Sequence, residues 1–76
     1  MDDKLRSVFR DVLGIADGEY RHDLGMRDIP AWDSVMHLSL VLAIEQVFNV
    51  SFAPEEFEKL TSVDGIRRAL SERGVH

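Results

Sequence analysis

Ser34-Val35-Met36-His37-Leu38-Ser39-Leu40-Val41-Leu42-Ala43-Ile44-Glu45-Gln46-Val47-Phe48 is the stretch whose reading decides the fold. Asp33 or Ser34 is a good N-cap, so a helix is expected to start there. Apolar residues fall at 35, 36, 38, 40, 41, 42, 43, 44, 47 and 48, which makes the helix apolar almost all round. Such a helix is either wholly buried or presents apolar surface to a partner. In a chain of 76 residues complete burial of one helix is geometrically hard, so a partly exposed apolar strip is expected.

Upstream, Asp2 to Leu13 reads as a first helix. Leu5, Val8, Phe9, Val12 and Leu13 recur at helical spacing, Asp2 and Asp3 suit the positive end of the dipole, and Gly14 is a stop signal. Residues 14–33 read as a long loop punctuated by Gly14, Gly18, Gly25 and Pro30. A loop of that length needs pins. Ile15, Tyr20, Leu24, Met26, Ile29 and Trp32 are the candidates, with Val35 joining them from the next helix.

Downstream, Asn49 to Ala53 is a short connection with no evident partner strand. Pro54-Glu55-Glu56 has the pattern of a helix start, and a brief third helix is expected through Leu60. Thr61 or Ser62 then caps a last helix to about Arg73, with Val63, Ile66, Ala69 and Leu70 inside and Gly74 at its end. The expected fold class is all-α. It is a four-helix bundle with three main helices, one short third helix and a long loop after helix one, forming one domain over residues 1–76.

There are 14 acidic and 9 basic residues, a formal net charge of −5. That balance argues against nucleic acid as a partner. The acidity centres on residues 33–60, where five acids face one base. No cysteine is present, which excludes disulfides, thiolate zinc sites and any protein thiol for acyl chemistry. His22, His37 and His76 lack metal-like spacing. Asp33, Ser34 and His37 offer triad residue types, but neighbours at one helix start cannot adopt triad geometry. No catalytic residue and no metal are therefore expected. The start Met1-Asp2-Asp3-Lys4 lacks a leader's pattern and no membrane span is present, so a cytoplasmic location is expected. Asn49-Val50-Ser51 matches a glycosylation sequon, expected to be silent there.

Trp32-Asp33-Ser34-Val35 followed by Leu38 to Phe48, with its closing Ile44-Glu45-Gln46-Val47-Phe48, resembles the acyl carrier protein family. Asn49-Val50-Ser51-Phe52 resembles the family's connection, Glu55 to Leu60 its short third helix, and Thr61-Ser62-Val63 the start of its fourth. The resemblance covers residues 3–73. It implies the acyl-carrier type of bundle, with phosphopantetheine esterified to Ser34 and Asp33 aiding recognition by the phosphopantetheinyl transferase. It also implies a carrier that other enzymes act on, not an enzyme, working as a monomer with acyl-loading, condensing or acyl-transferring partners in fatty acid, specialised lipid or polyketide biosynthesis. A phosphodiester at a helix N-terminus suits the unpaired N–H groups and the positive dipole end there.

Other residues carry two readings each. His37, one turn after Ser34, is either a surface histidine or a contact for the arm's phosphate. Trp32 packs the loop against the bundle or grips the acyl chain. Met36, Leu40, Ala43 and Val47 fall near one stripe, read either as core or as docking surface. Val35, Met36, Leu40, Glu45, Glu55 and Glu56 are the expected partner-binding residues, and Glu58 joins the two acids before it in an acidic rim. Helix two departs from the family's usual run of acids, since only Glu45 is acidic. That points to a stand-alone carrier of a dedicated pathway. An aminoacyl or peptidyl carrier is the nearest alternative, although many of those have a small pair such as Gly-Gly where this chain has Trp32-Asp33. An unmodified helical interaction module is the alternative of a different class. Whether the acyl chain enters the bundle is left open by helix two's apolar inner face.

Overall fold

The computed structural model describes residues 1–75; His76, one of the three histidines weighed as metal ligands, lies outside the described residues. Among the described residues there are three α-helices: α1 (Asp2–Leu13), α2 (Ser34–Phe48) and α3 (Val63–Glu72). Between α2 and α3 the short third helix is a 3₁₀ segment, Pro54–Leu60. No strand forms among the described residues, and the chain is an all-helical bundle.

Each boundary has a local cause. Gly14 closes α1 at φ 71°, a left-handed value that glycine adopts without steric cost. Asp33 caps α2, its carboxylate accepting from the Met36 N–H at 2.9 Å. Ser62 caps α3 through the Gly65 N–H at 3.0 Å. Pro54 opens the 3₁₀ segment, where its missing N–H costs nothing, and Glu56 reaches back to the Ala53 N–H at 2.7 Å.

The core is one cluster. α1 contributes Leu5, Val8, Phe9 and Leu13, α2 contributes Leu40, Val41 and Ile44, and α3 contributes Val63, Ile66 and Leu70. Phe52 and Leu60 close it from the α2–α3 connection. The long loop is pinned by Ile15, Leu24, Ile29 and Trp32, all buried, with Tyr20 and Met26 half-buried beside them. Val35 does not join them. It is 74% exposed, because its helical position points away from the core.

Two further pins are not side chains from the core. The Met26 N–H donates to the Thr61 carbonyl and the Val63 N–H to the Leu24 carbonyl, each at 2.8 Å. Together they form an isolated bridge between Gly25 and Ser62, which fastens the loop to the start of α3. Gly65, in the first turn of α3, lies where a Cβ would run into the Lys59 carbonyl oxygen. That close approach lets α3 fold back directly onto the 3₁₀ segment.

Candidate functional site

Ser34 is the first residue of α2 and is exposed. Since Asp33 supplies the cap, the Ser34 hydroxyl is not spent on the helix, and it bonds to no other described residue. The first N–H groups of any helix lack partners one turn back, so the position already favours an attached anion. These residues fit a phosphodiester: an accessible hydroxyl, a helix start oriented by its own aspartate, and no competing hydrogen bond.

Beneath Ser34 lies a buried polar relay. Trp32 is 2% exposed, and its indole N–H donates to His37 Nδ1 at 3.0 Å. His37 Nε2 lies 2.8 Å from the Phe57 carbonyl oxygen in the 3₁₀ segment. An indole N–H only donates and a carbonyl only accepts. Nδ1 therefore carries the lone pair and Nε2 the proton. Trp32 also stands edge-on to Phe9, with centroids 5.3 Å apart. His37 is thus neither a surface histidine nor a phosphate ligand. Both ring nitrogens are engaged inside the bundle, and the residue is buried. A buried indole N–H needs an acceptor, and a histidine five residues on was the sequence signal for this pair.

The outer face of α2 differs from the expected docking stripe. Leu40 is fully buried and offers nothing to a partner. Met36 and Ala43 are half-buried against the core, while Val47 is 44% exposed. The exposed strip that begins at the serine is instead Val35, Leu38 and Leu42, at spacings of three and four residues. Sequence reasoning missed Leu38 and Leu42, because a helix apolar on nearly every side carries no phase to say which side faces out.

Three of the acids centred on α2 and the 3₁₀ segment serve the fold. Asp33 caps α2. Glu45 accepts from the Phe52 N–H at 2.7 Å, which ties down the α2–α3 connection. Both Glu56 carboxylate oxygens accept from Arg73 Nη2, at 2.7 and 2.6 Å. The Arg73 hydrogen bond, helped by the Ala53 N–H, holds the Glu56 carboxyl below the usual carboxylate range. Glu56 therefore turns inward instead of joining an acidic rim. Glu55 and Glu58 remain exposed, without an ion pair among the described residues.

A separate polar cluster joins α1, the loop and α3. Asp2 accepts from Arg67 at 3.0 Å and from the Tyr20 hydroxyl at 3.5 Å, and lies 3.3 Å from His22. Burial alone would raise the Asp2 carboxyl, but Arg67 and then His22 outweigh it and hold it below its ordinary value. Burial, followed by the Asp2 charge, pushes the Tyr20 hydroxyl up to about 12. No cluster of three or more potential metal ligands occurs among the described residues, and none of the described helices is long and apolar enough to cross a membrane.

A helix-start serine left free by its own cap, on a small helical bundle, is the arrangement of a carrier. The family model described as "Phosphopantetheine attachment site" matches residues 3–70. An acyl carrier protein from Akkermansia muciniphila is 36% identical over 69 residues, covering 83% of this chain and 79% of that protein. Another from Petrotoga mobilis is 30% identical over 71 residues, covering 93% and 84%. The chain belongs to the acyl carrier protein family, and phosphopantetheine is its cofactor. Its role is that of a phosphopantetheine-bearing acyl carrier, in a family of carriers and not of catalysts.

Proposed function

We propose that Ser34 is the attachment point and that this chain carries acyl thioesters for a dedicated biosynthetic route. The observation that carries the reading is the exposed, uncommitted Ser34 hydroxyl behind the Asp33 cap, inside the matched residues 3–70. In loading, the Ser34 oxygen bonds to the phosphate that bears the pantetheine arm. The adenosine bisphosphate half of coenzyme A leaves, and the transferase takes the hydroxyl proton. The arm's terminal thiol then supplies the thioester that a chain without cysteine cannot make. Asp33 orients Ser34 for the transferase. The enzymes that load, condense and transfer the acyl group supply all acid–base chemistry, and this chain is their substrate. We place the work in the cytoplasm, with the chain acting as one monomeric domain over residues 1–76.

The partner surface we assign is Val35, Leu38 and Leu42, with Met36 at its flank and Glu55 on the 3₁₀ segment. It contains no free acid on α2, which supports partners with an apolar rather than a basic face. That distinction favours a specialised lipid or polyketide route. The Trp32-Asp33 pair before the serine favours acyl over aminoacyl cargo.

The test is intact mass after incubation with coenzyme A, magnesium and a promiscuous phosphopantetheinyl transferase. One phosphopantetheine should be gained by the wild-type chain and none by Ser34→Ala. No gain, with the transferase active on a control carrier, sinks the reading in favour of an unmodified interaction module. Loading from an adenylating enzyme and an amino acid, but not from acyl-coenzyme A, favours the aminoacyl alternative.

A further inference from the structure

We propose that the acyl cargo stays outside the bundle, because Trp32 and His37 fill and fasten the seam nearest the attachment point. The inference rests on the carrier reading of Ser34. His37 lies one turn after Ser34, so the seam between the first turn of α2 and the 3₁₀ segment is part of the core next to the attachment point. His37 bridges those two elements, from α2 to the Phe57 carbonyl. Behind it stands the Trp32 indole, almost without exposed surface, bonded to His37 and packed on Phe9.

For an alkyl chain to enter here, the indole must move. Its N–H would then lose its acceptor, and the His37–Phe57 bond would be strained or broken. A hydrocarbon chain offers neither donor nor acceptor, so buried polar groups would be left unpaired, which is costly in a low-dielectric interior. The Phe9–Trp32 packing would be lost as well. The gain from burying methylenes must overcome all of these, whereas in an apolar, unlocked seam it would face none of them.

The consequence concerns cargo choice. A carrier that shelters its cargo reads chain length through its interior. This chain leaves selection to its partner enzymes, and bulky, branched or polar acyl groups should be carried as readily as straight chains.

The test uses the loaded protein with acetyl, hexanoyl and decanoyl groups on the arm, with loading checked by intact mass. Trp32 is the chain's single tryptophan, so its fluorescence reports on this seam alone. The three loaded forms should melt within about 1 °C of one another, with identical tryptophan emission. A sheltered decanoyl chain would instead raise Tm by roughly 5 °C or more over the acetyl form, and would shift the emission. That result overturns the inference while leaving the carrier reading intact. Failure to gain the phosphopantetheine mass overturns both. A Trp32→Leu chain should acquire a Tm that climbs with cargo length; a length-independent Tm in a folded Trp32→Leu chain would show that the indole is not what excludes cargo. Should that variant not fold, the wild-type series decides the matter alone.

Discussion

Val35, Leu38 and Leu42 stand exposed along one face of α2, whereas around the 3₁₀ segment Glu56 and Arg73 hold a part-buried ion pair against the rest of the chain. Arg73 also donates to the Ser51 and Ala69 carbonyls, and its guanidinium lies 4.4 Å from the Phe52 ring centroid. The first region has apolar surface that no described residue covers. In the second, the Glu56 and Arg73 charges find their partners within the chain. An acidic composition invites the assumption that acids face partners and apolar groups face the core. Here Asp33, Glu45 and Glu56 cap backbones or pair inward, and the strip of α2 that runs on from the serine is apolar. Net charge therefore says less about docking than does the count of charges left unpaired.

The sharpest way to break this comparison is within α2 itself. Leu40→Ala empties a fully buried site and should cost about 2–5 kcal/mol in urea unfolding. Leu42→Ala, two residues on and half exposed, should stay within about 0.5 kcal/mol of wild type. It should nonetheless lower kcat/KM for transferase loading about tenfold, as loss of an interface anchor does. Equal stability costs for the two would mean that the strip belongs to the core.

Arg73→Ala tests the other region. It removes a charged hydrogen-bond donor and a cation–aromatic contact at once, and about 2 kcal/mol should be lost. A pH series adds the sign. Glu56 and Asp2 both titrate lower in the folded chain than unfolded, so on acidification the unfolded chain takes up protons first. Their contribution is fully present above the ordinary carboxylate range and is lost as pH falls from there through their lowered folded-state values. Arg73→Ala should flatten this acid slope by removing the Glu56 share, and Arg67→Ala should do the same for Asp2. A slope unchanged in both variants would locate the acid sensitivity elsewhere. Transferase loading at neutral pH should be nearly untouched by Arg73→Ala, because Val35, Leu38 and Leu42 make no contact with that ion pair.

Sequence reading reached α1 and α2 to the residue because both carry end signals in their own composition: acids and Gly14 for one, Asp33 and the apolar run for the other. Ser34 as the attachment point came from the resemblance of Trp32-Asp33-Ser34-Val35 and the helix after it to the acyl carrier family, since an Asp-Ser helix start by itself is also an ordinary cap. Sequence reading counted Leu40 among the partner-binding residues although the bundle buries it, since Leu40 and Leu42 are chemically identical and only the neighbouring helices decide which one is covered. It missed the inward turn of Glu56, whose partner Arg73 is 17 residues away in a different helix. Neither reading of His37 held: the Trp32 half of its pairing had a sequence signal, but its second partner, the Phe57 backbone carbonyl, has none. Gly65 belongs with these. A glycine inside a helix is legible as a cost, but the Lys59 carbonyl that requires it is not. Gly65→Ala should therefore destabilise, by about 1–3 kcal/mol through the forced shift, where an exposed helical glycine would have gained from the change.

The smallest effect separates the two residues at the start of α2. Sequence reading leaves the cap to either Asp33 or Ser34, and the two assignments predict opposite outcomes. With Asp33 bonded to the Met36 N–H, Asp33→Ala should cost about 1 kcal/mol, the ordinary value for a lost N-cap. Ser34→Ala should cost only a few tenths or nothing, since alanine is at least as good as serine at a first helical position. Loading should show the reverse ranking. Ser34→Ala abolishes it, whereas Asp33→Ala retains the hydroxyl and loses only its orientation, so loading slows but persists. Asp33→Asn keeps a capping oxygen and removes the charge, and so separates the two contributions of Asp33: stability should return to near wild type, and any loading defect that remains belongs to recognition of the carboxylate by the transferase. Stability that stays low in Asp33→Asn would mean that the carboxylate's charge on the helix dipole, and not the cap bond, holds the start of α2 in place.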